Sequence, residues 1–164
     1  MSKKIFVLPL ILILLCGCNS KKSVTPVLNN ISFIAAFNCN DSEFECNADL
    51  SDNVLTVKVT KPETIKDFTL IYKNGAVTAE YLGITYTPKS NNMPQTAFAQ
   101  IFYDAVSKIN SDGITAECVD ENAVINDKIN GYDFSLIISP TGFPISFTVE
   151  NLDLKAVFSD VVVK

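Results

Sequence analysis

The sequence predicts an α+β domain that is mostly β, an antiparallel sheet covered by one long amphipathic helix. Three observations predict it. From residue 31 onward, apolar residues recur at every second position, the period of half-buried strands. Asn74-Gly75 and Asn130-Gly131 each separate two such runs, and an Asn-Gly pair favours the tight hairpin turn with positive φ at both positions. One stretch, Pro94–Asn110, carries the helical period instead.

The elements follow in order. Ile31, Phe33, Ala35, Phe37 and Cys39 alternate with more polar neighbours and predict a first strand. Phe44, Cys46, Ala48 and Leu50 predict a second, and Leu55, Val57 and Val59 a third. Lys61-Pro62-Glu63 interrupts the pattern and predicts a short turn over Pro62–Lys66. Phe68, Leu70 and Tyr72 then pair across Asn74-Gly75 with Val77, Ala79 and Tyr81. In the helix, Ala97, Phe98, Ile101, Phe102, Ala105, Val106 and Ile109 share one face, with Pro94 in the first turn and Gly113 just past the end. Alternation resumes with Ile114, Ala116 and Cys118 and a strand around Val124. Tyr132, Phe134, Leu136 and Ile138 come next, then Ile145, Phe147 and Val149, and finally Leu152, Leu154, Ala156 and Phe158. The total is about eight to ten strands by this period-two count. Helix and sheet each have one apolar face to bury, so the helix is expected across the sheet's apolar side.

Ahead of this domain, Met1 to Lys4 form a short basic start and Ile5 to Leu15 an apolar run of 11 residues. A bilayer core of about 30 Å needs about 20 residues to cross, so this run has the length of a secretory signal core instead. It ends in Leu15-Cys16-Gly17-Cys18, which resembles a bacterial lipobox. Cys18 fits better than Cys16 because small Gly17, not bulky Leu15, precedes it. The resemblance implies a signal peptide over residues 1–17, acylation of Cys18 by palmitate-like chains, and anchoring to the extracytoplasmic face of a bacterial membrane. Two or more chains, at about 0.8 kcal/mol per buried CH₂, suffice for stable anchoring. The competing reading is a plain signal peptide or short core helix with incidental cysteines. Residues 18–30 are polar with a single proline and read as a lipid-anchored tether, leaving residues 31–164 as the domain.

Composition narrows the function classes. The chain has 164 residues, and the 147 left after such cleavage suit a single core that buries roughly 68% of its unfolded surface. Formal charge is −5; losing Lys3 and Lys4 leaves 11 lysines against 18 acids, or −7. So few and scattered lysines build no basic patch, and nucleic acid is not an expected partner. With no histidine and no arginine, histidine triads, imidazole acid–base catalysis and arginine clamps are excluded. No Gly-x-Ser-x-Gly elbow occurs, and no spacing selects two of the 18 acids for glycoside hydrolysis. No catalytic residue, cofactor or enzyme activity is therefore expected. Asp41, Glu43 and Glu45 share one strand face; they could hold Ca²⁺ weakly, but a solvated, aggregation-resistant edge is the plainer reading. No zinc spacing appears, so no metal site is expected. Cys39, Cys46 and Cys118 make an odd number for an oxidising compartment. Cys39 and Cys46 flank a short turn and could bridge; either could instead pair with Cys118, or all three could stay thiols.

Several landmarks go further: Pro62-Glu63 after a strand, Tyr81-Leu82-Gly83 after a hairpin, Pro94 opening the helix, Pro140-Thr141-Gly142-Phe143-Pro144 between late strands, and Phe158 in the closing strand. In this order they resemble the family of the periplasmic lipoprotein carrier LolA and its Gram-positive surface-lipoprotein relatives, over roughly residues 31–164. The resemblance implies a strongly curved half-barrel closed by helices over an apolar concave face. It also implies carriage of a lipid or lipoprotein acyl chain. Two departures stand out: this chain is shorter than the soluble carriers, and its own anchor argues against a free shuttle. Phe33, Phe37, Phe68, Tyr72, Phe98, Phe102, Phe134 and Phe147 then admit two readings. They line an apolar groove for an acyl chain, or they simply fill the core between sheet and helix, the plainer of the two. The leading expectation is a membrane-anchored, non-enzymatic surface lipoprotein that binds a lipid or acyl chain. The alternative is an envelope or spore-related interaction protein with a filled core, a protein partner and no small-molecule ligand.

Overall fold

Tight hairpins set the topology. The computed structural model describes residues 23–39, 42–87, 98–119 and 121–164. The strands are β1 (Ser23–Val24), β2 (Ile31–Cys39), β3 (Ser42–Ser51), β4 (Val54–Lys61), β5 (Thr69–Lys73), β6 (Ala76–Tyr81) and β7 (Ile84–Tyr86). Helix α1 (Phe98–Asp112) follows, then β8 (Ala116–Val119), β9 (Asn122–Ile129), β10 (Tyr132–Ile138), β11 (Pro144–Val149) and β12 (Leu154–Val163). Among the described residues they form one open antiparallel sheet of order β1-β8-β9-β10-β11-β12-β2-β3-β4-β5-β6-β7. The C-terminal strand closes the two halves together: in β12, Leu154 stands opposite Cys39 and Val163 opposite Ile31.

Among the described residues, the mostly β class with a single covering helix agrees with expectation, while the sheet is larger. It has twelve strands rather than eight to ten, because β1 and β7 extend its edges. Four hairpins turn on residue pairs with positive φ at both positions: Asp52-Asn53, Asn74-Gly75, Leu82-Gly83 and Asn130-Gly131. Alternation does not predict β7, because leucine at a left-handed position is no turn signal. Phe68 lies just ahead of β5 rather than in it. The strand around Val124 turns that valine outward, with Ala123 and Ile125 buried on either side. In α1, Phe98, Ile101, Phe102, Ala105, Val106 and Ile109 are buried as the period requires, while Pro94 and Ala97 lie outside the described residues. Helix α1 packs against β4, β5 and β9, spanning the two wings of the curved sheet.

The core is aromatic at its centre. The Phe102 ring lies 5.7 Å from Phe33, 5.6 Å from Phe98, 5.5 Å from Phe147 and 5.1 Å from Phe158. Burial of each such side chain stabilises by about 1.5–3 kcal/mol, and edge-to-face or offset pairing adds about 0.5–1.5 kcal/mol. Ile31, Leu50, Leu55, Leu136, Ile138, Val149, Leu154 and Ala156 complete the core around these rings.

The stretch read as a tether belongs partly to the domain. Ser23–Val24 pairs with β8, Val24 and Leu28 are buried, and the Val27 N–H donates to the Gly142 carbonyl at 2.8 Å. Gly142 is required here: its φ is +89°, and an added Cβ would stand 2.4 Å from the Thr25 carbonyl oxygen. Residues 23–30 are therefore docked, held by the apolar side chains of Val24, Val27 and Leu28. Residues 18–22, with Cys18, lie outside the described residues.

Candidate functional site

The aromatic residues form a filled interior, the plainer of the two readings, rather than a groove. Phe33, Phe98, Phe102, Phe134 and Phe147 are all buried and in ring contact with one another. Tyr72 is buried too, stacked 6.1 Å from Tyr103 on the helix. Phe68 sits apart from this cluster, edge-on to Tyr81. Phe37 lies at the edge of the cluster, half-buried between Phe98 at 4.7 Å and Phe44 at 5.1 Å. The physical reason is volume: α1 presses its apolar face into the curve of the sheet, and the rings occupy the space a ligand would need.

A Cys39–Cys46 bridge, one of the arrangements open to the sequence, is not formed. The β2–β3 hairpin pairs Cys39 with Ser42 and Cys46 with Ala35, so the two cysteines are four residues out of register, roughly 13 Å along the strand. A disulfide needs Cα atoms within about 7 Å. Cys46 and Cys118 are free thiols. Burial pushes the Cys46 thiol up to about 12, which leaves it protonated and inert.

The opposite face of the same strands is hollow. A groove of about 710 Å³ opens over the ends of β2, β3, β4 and β12. Strand register builds its floor from two cross-strand rows. One runs Val157–Ala36–Glu45–Lys61 and the other Lys155–Asn38–Glu43. The turn at Pro62 and Glu63, which leads into a 3-10 turn over Glu63–Ile65, forms one wall, and Phe37 and Phe44 line the groove from the sheet's end. Ala36 is the cause of the hollow: a methyl group stands between larger neighbours on both sides. Val157, 48% exposed, adds apolar surface beside it.

Charge frames this groove without filling it. Glu45 accepts hydrogen bonds from Lys61 Nζ at 2.9 Å and Thr60 Oγ1 at 3.1 Å, and these hold its carboxyl below the usual range. Glu63 pairs with Lys66 at 3.1 Å. Among the described residues no three acidic, cysteine or histidine groups converge on a metal position, and Asp41 lies outside them. The acidic strand face thus carries a lysine-paired carboxylate. Of the expected groove residues only Phe37 lines this hollow. The signals that could have found it are Ala36 and Val157, small or apolar residues at the polar phase of their strands.

No family model matches the chain, and no characterised protein does either. Two solved structures follow a similar path. An uncharacterized conserved protein from Thermus thermophilus superposes with a TM-score of 0.49 at 10% identity, over 84% of this chain and 80% of that one. A LolA superfamily protein from Nitrosomonas europaea gives a TM-score of 0.38 at 9% identity, over 82% of this chain and 84% of that one.

Proposed function

We propose that this chain is a non-enzymatic lipoprotein of the bacterial cell envelope, anchored through Cys18, that holds the acyl chain of a lipid or lipoprotein. One observation carries the reading: the groove of about 710 Å³ with apolar surface from Ala36, Phe37, Phe44, Pro62 and Val157 and with Lys61 and Lys155 in its floor. That volume falls within the range of about 300–1,000 Å³ typical of small-molecule sites, whereas the ring-filled interior has no such room. Lys155 in the floor suits the anionic head of a lipid whose tail lies along Ala36 and Val157. The landmarks shared with the LolA family support the same class of ligand. The docked N-terminal segment sharpens the anchoring. From an acylated Cys18 to Ser23 the chain reaches at most roughly 17 Å, so the β1 edge of the sheet would lie close to the membrane surface.

Native mass spectrometry of the full-length protein, extracted from membranes in mild detergent, tests the groove. A lipid-sized adduct is expected beyond the covalent acyl mass, and Val157→Asp is expected to lose it; no adduct in either protein overturns the reading. Membrane fractionation of Cys18→Ser tests the anchor separately, with release to the soluble fraction expected. A second reading takes its support from the filled interior and from the sheet's edge, where Leu82, Ile84 and Tyr86 are 84%, 71% and 63% exposed. On that reading β7 pairs with an extended segment of a partner protein, and Ile84→Lys abolishes the interaction while leaving the lipid adduct intact.

A further inference from the structure

A second opening lies far from this groove, on the flank of α1. Two hairpin tips converge there, Gly75 between β5 and β6 and Asn130 between β9 and β10. With Tyr72, Gln100, Tyr103, Asp104 and Ser107 they enclose a cleft of about 460 Å³. Its chemistry differs from the rest of the interior. Tyr72 is 3% exposed, yet its hydroxyl has no hydrogen-bond partner among the described residues. The neighbouring Tyr103 hydroxyl, by contrast, donates to the Asn53 carbonyl at 2.9 Å. A buried polar group left unpaired costs about 1–3 kcal/mol, so the Tyr72 hydroxyl calls for an acceptor. Asp104 is the cleft's one carboxylate. It accepts a hydrogen bond from Asn130 Nδ2 at 2.9 Å, has no lysine beside it in the cleft wall, and is pushed above the ordinary carboxylate range by burial. It also lies close enough to Tyr72 to oppose that phenol's ionisation.

We propose that this cleft binds a neutral, hydroxyl-rich ligand of sugar size. The choice follows from a donor and an acceptor that line one cleft. A ligand hydroxyl serves either group, accepting from Tyr72 or donating to Asp104, and a ligand with several hydroxyls serves both. An ammonium group satisfies Asp104 alone and leaves Tyr72 unpaired; an anion is repelled by Asp104. Gln100, Ser107 and Asn130 add side chains that both donate and accept, the pairing that further hydroxyls require. The volume accommodates one or two pyranose rings and falls within the usual range for ligand sites. This site needs neither the outer groove nor an acyl ligand.

The test is calorimetric titration of the full-length protein in detergent with D-glucose, D-galactose and N-acetyl-D-glucosamine, alongside ethanolamine and inorganic phosphate. At least one sugar is expected to bind saturably, and Tyr72→Phe and Asp104→Asn are each expected to weaken it about tenfold or more. Tyr72→Phe is expected to keep the native circular dichroism and to melt no lower than the parent protein, because the hydroxyl it removes has no partner. Retention on insoluble cell-wall glycan, reversed by the winning sugar, would place the ligand in the wall; saturation without retention would make it a soluble sugar. Failure of every sugar to bind, undiminished binding in Tyr72→Phe, or preference for ethanolamine or phosphate would each overturn the proposal.

Discussion

The two faces of β2 are built from the same nine residues and end in opposite states. On the inner face Phe33 and Ala35 meet Phe102, Phe158 and Cys46, and no space is left. On the outer face Ala36 and Asn38 stand between Val157 and Glu45, and between Lys155 and Glu43, and the surface is hollow. The inner face has a helix to cover it and rings to fill it; the outer face has only the Pro62 turn along one side. Aromatic abundance therefore marks burial in this protein, and the ligand-sized space arises where a small residue interrupts an exposed row.

Breaking the inner face should have the largest effect. Phe102→Ala removes the ring that joins α1 to β2, β11 and β12, and large core truncations of this kind cost about 3–5 kcal/mol. Urea denaturation should show that loss as a lower midpoint with an unchanged slope. A loss under about 1.5 kcal/mol would mean that α1 is not the keystone of the fold.

The docked N-terminal segment comes next. Gly142→Ala forces a side chain to adopt φ of +89° and drives its Cβ toward the Thr25 carbonyl. Strain of this sort costs about 1–3 kcal/mol, and here it should be relieved by release of residues 23–30. Hydrogen exchange at the Val27 amide, which donates to the Gly142 carbonyl, should accelerate before global stability falls.

These two positions also show what the sequence makes legible. Phe102 is readable because seven apolar residues share one helical face, and a helix so placed has only the sheet to bury against. The Asn-Gly hairpins are readable because local backbone chemistry alone specifies them, and the φ values at Asn74, Gly75, Asn130 and Gly131 agree. Docking of residues 23–30 is not readable: Val24, Val27 and Leu28 are too few to establish a period, and their partners lie more than ninety positions away in β8 and the Gly142 turn. Register is hidden for the same reason. Parity places Cys46 correctly on the apolar face, but the hairpin's turn length decides its partner, which is Ala35. The groove is a negative feature, made by what Ala36 lacks, and apolar patterning registers only what is present.

The thiols give a smaller, pH-dependent contrast. Cys46 is buried on the inner face, with its pKa raised to about 12, while Cys118 is half-buried. Iodoacetamide at about pH 8.5 should modify Cys118 in the native protein and spare Cys46 until it unfolds, as read by peptide mapping. The linkage sign follows from the raised value. Below the unfolded thiol's pKa of about 8.5 both states hold the proton and the stabilisation is complete. As pH rises toward 12 the unfolded state alone gives it up, and stability falls. Cys46→Ala should flatten that alkaline decline.

The smallest effect on stability should accompany the sharpest effect on function. Val157 is half-exposed on the outer face, flanked along β12 by Ala156 and Phe158, both buried. Its replacement by aspartate removes little packed surface and places the new charge in water beside Lys155, so stability should move by no more than about 0.5 kcal/mol. For an acyl chain lying on Ala36 the same change is severe, because binding must strip water from the new carboxylate. Retention of a fluorescent fatty acid should fall at least about tenfold, the equivalent of 1.4 kcal/mol. Ala36→Leu fills the same hollow with an apolar side chain and no charge. If volume is what the groove supplies, it should impair retention as well. If Val157→Asp alone impairs it, the outer face acts through its charge pattern, and the occupied space lies elsewhere.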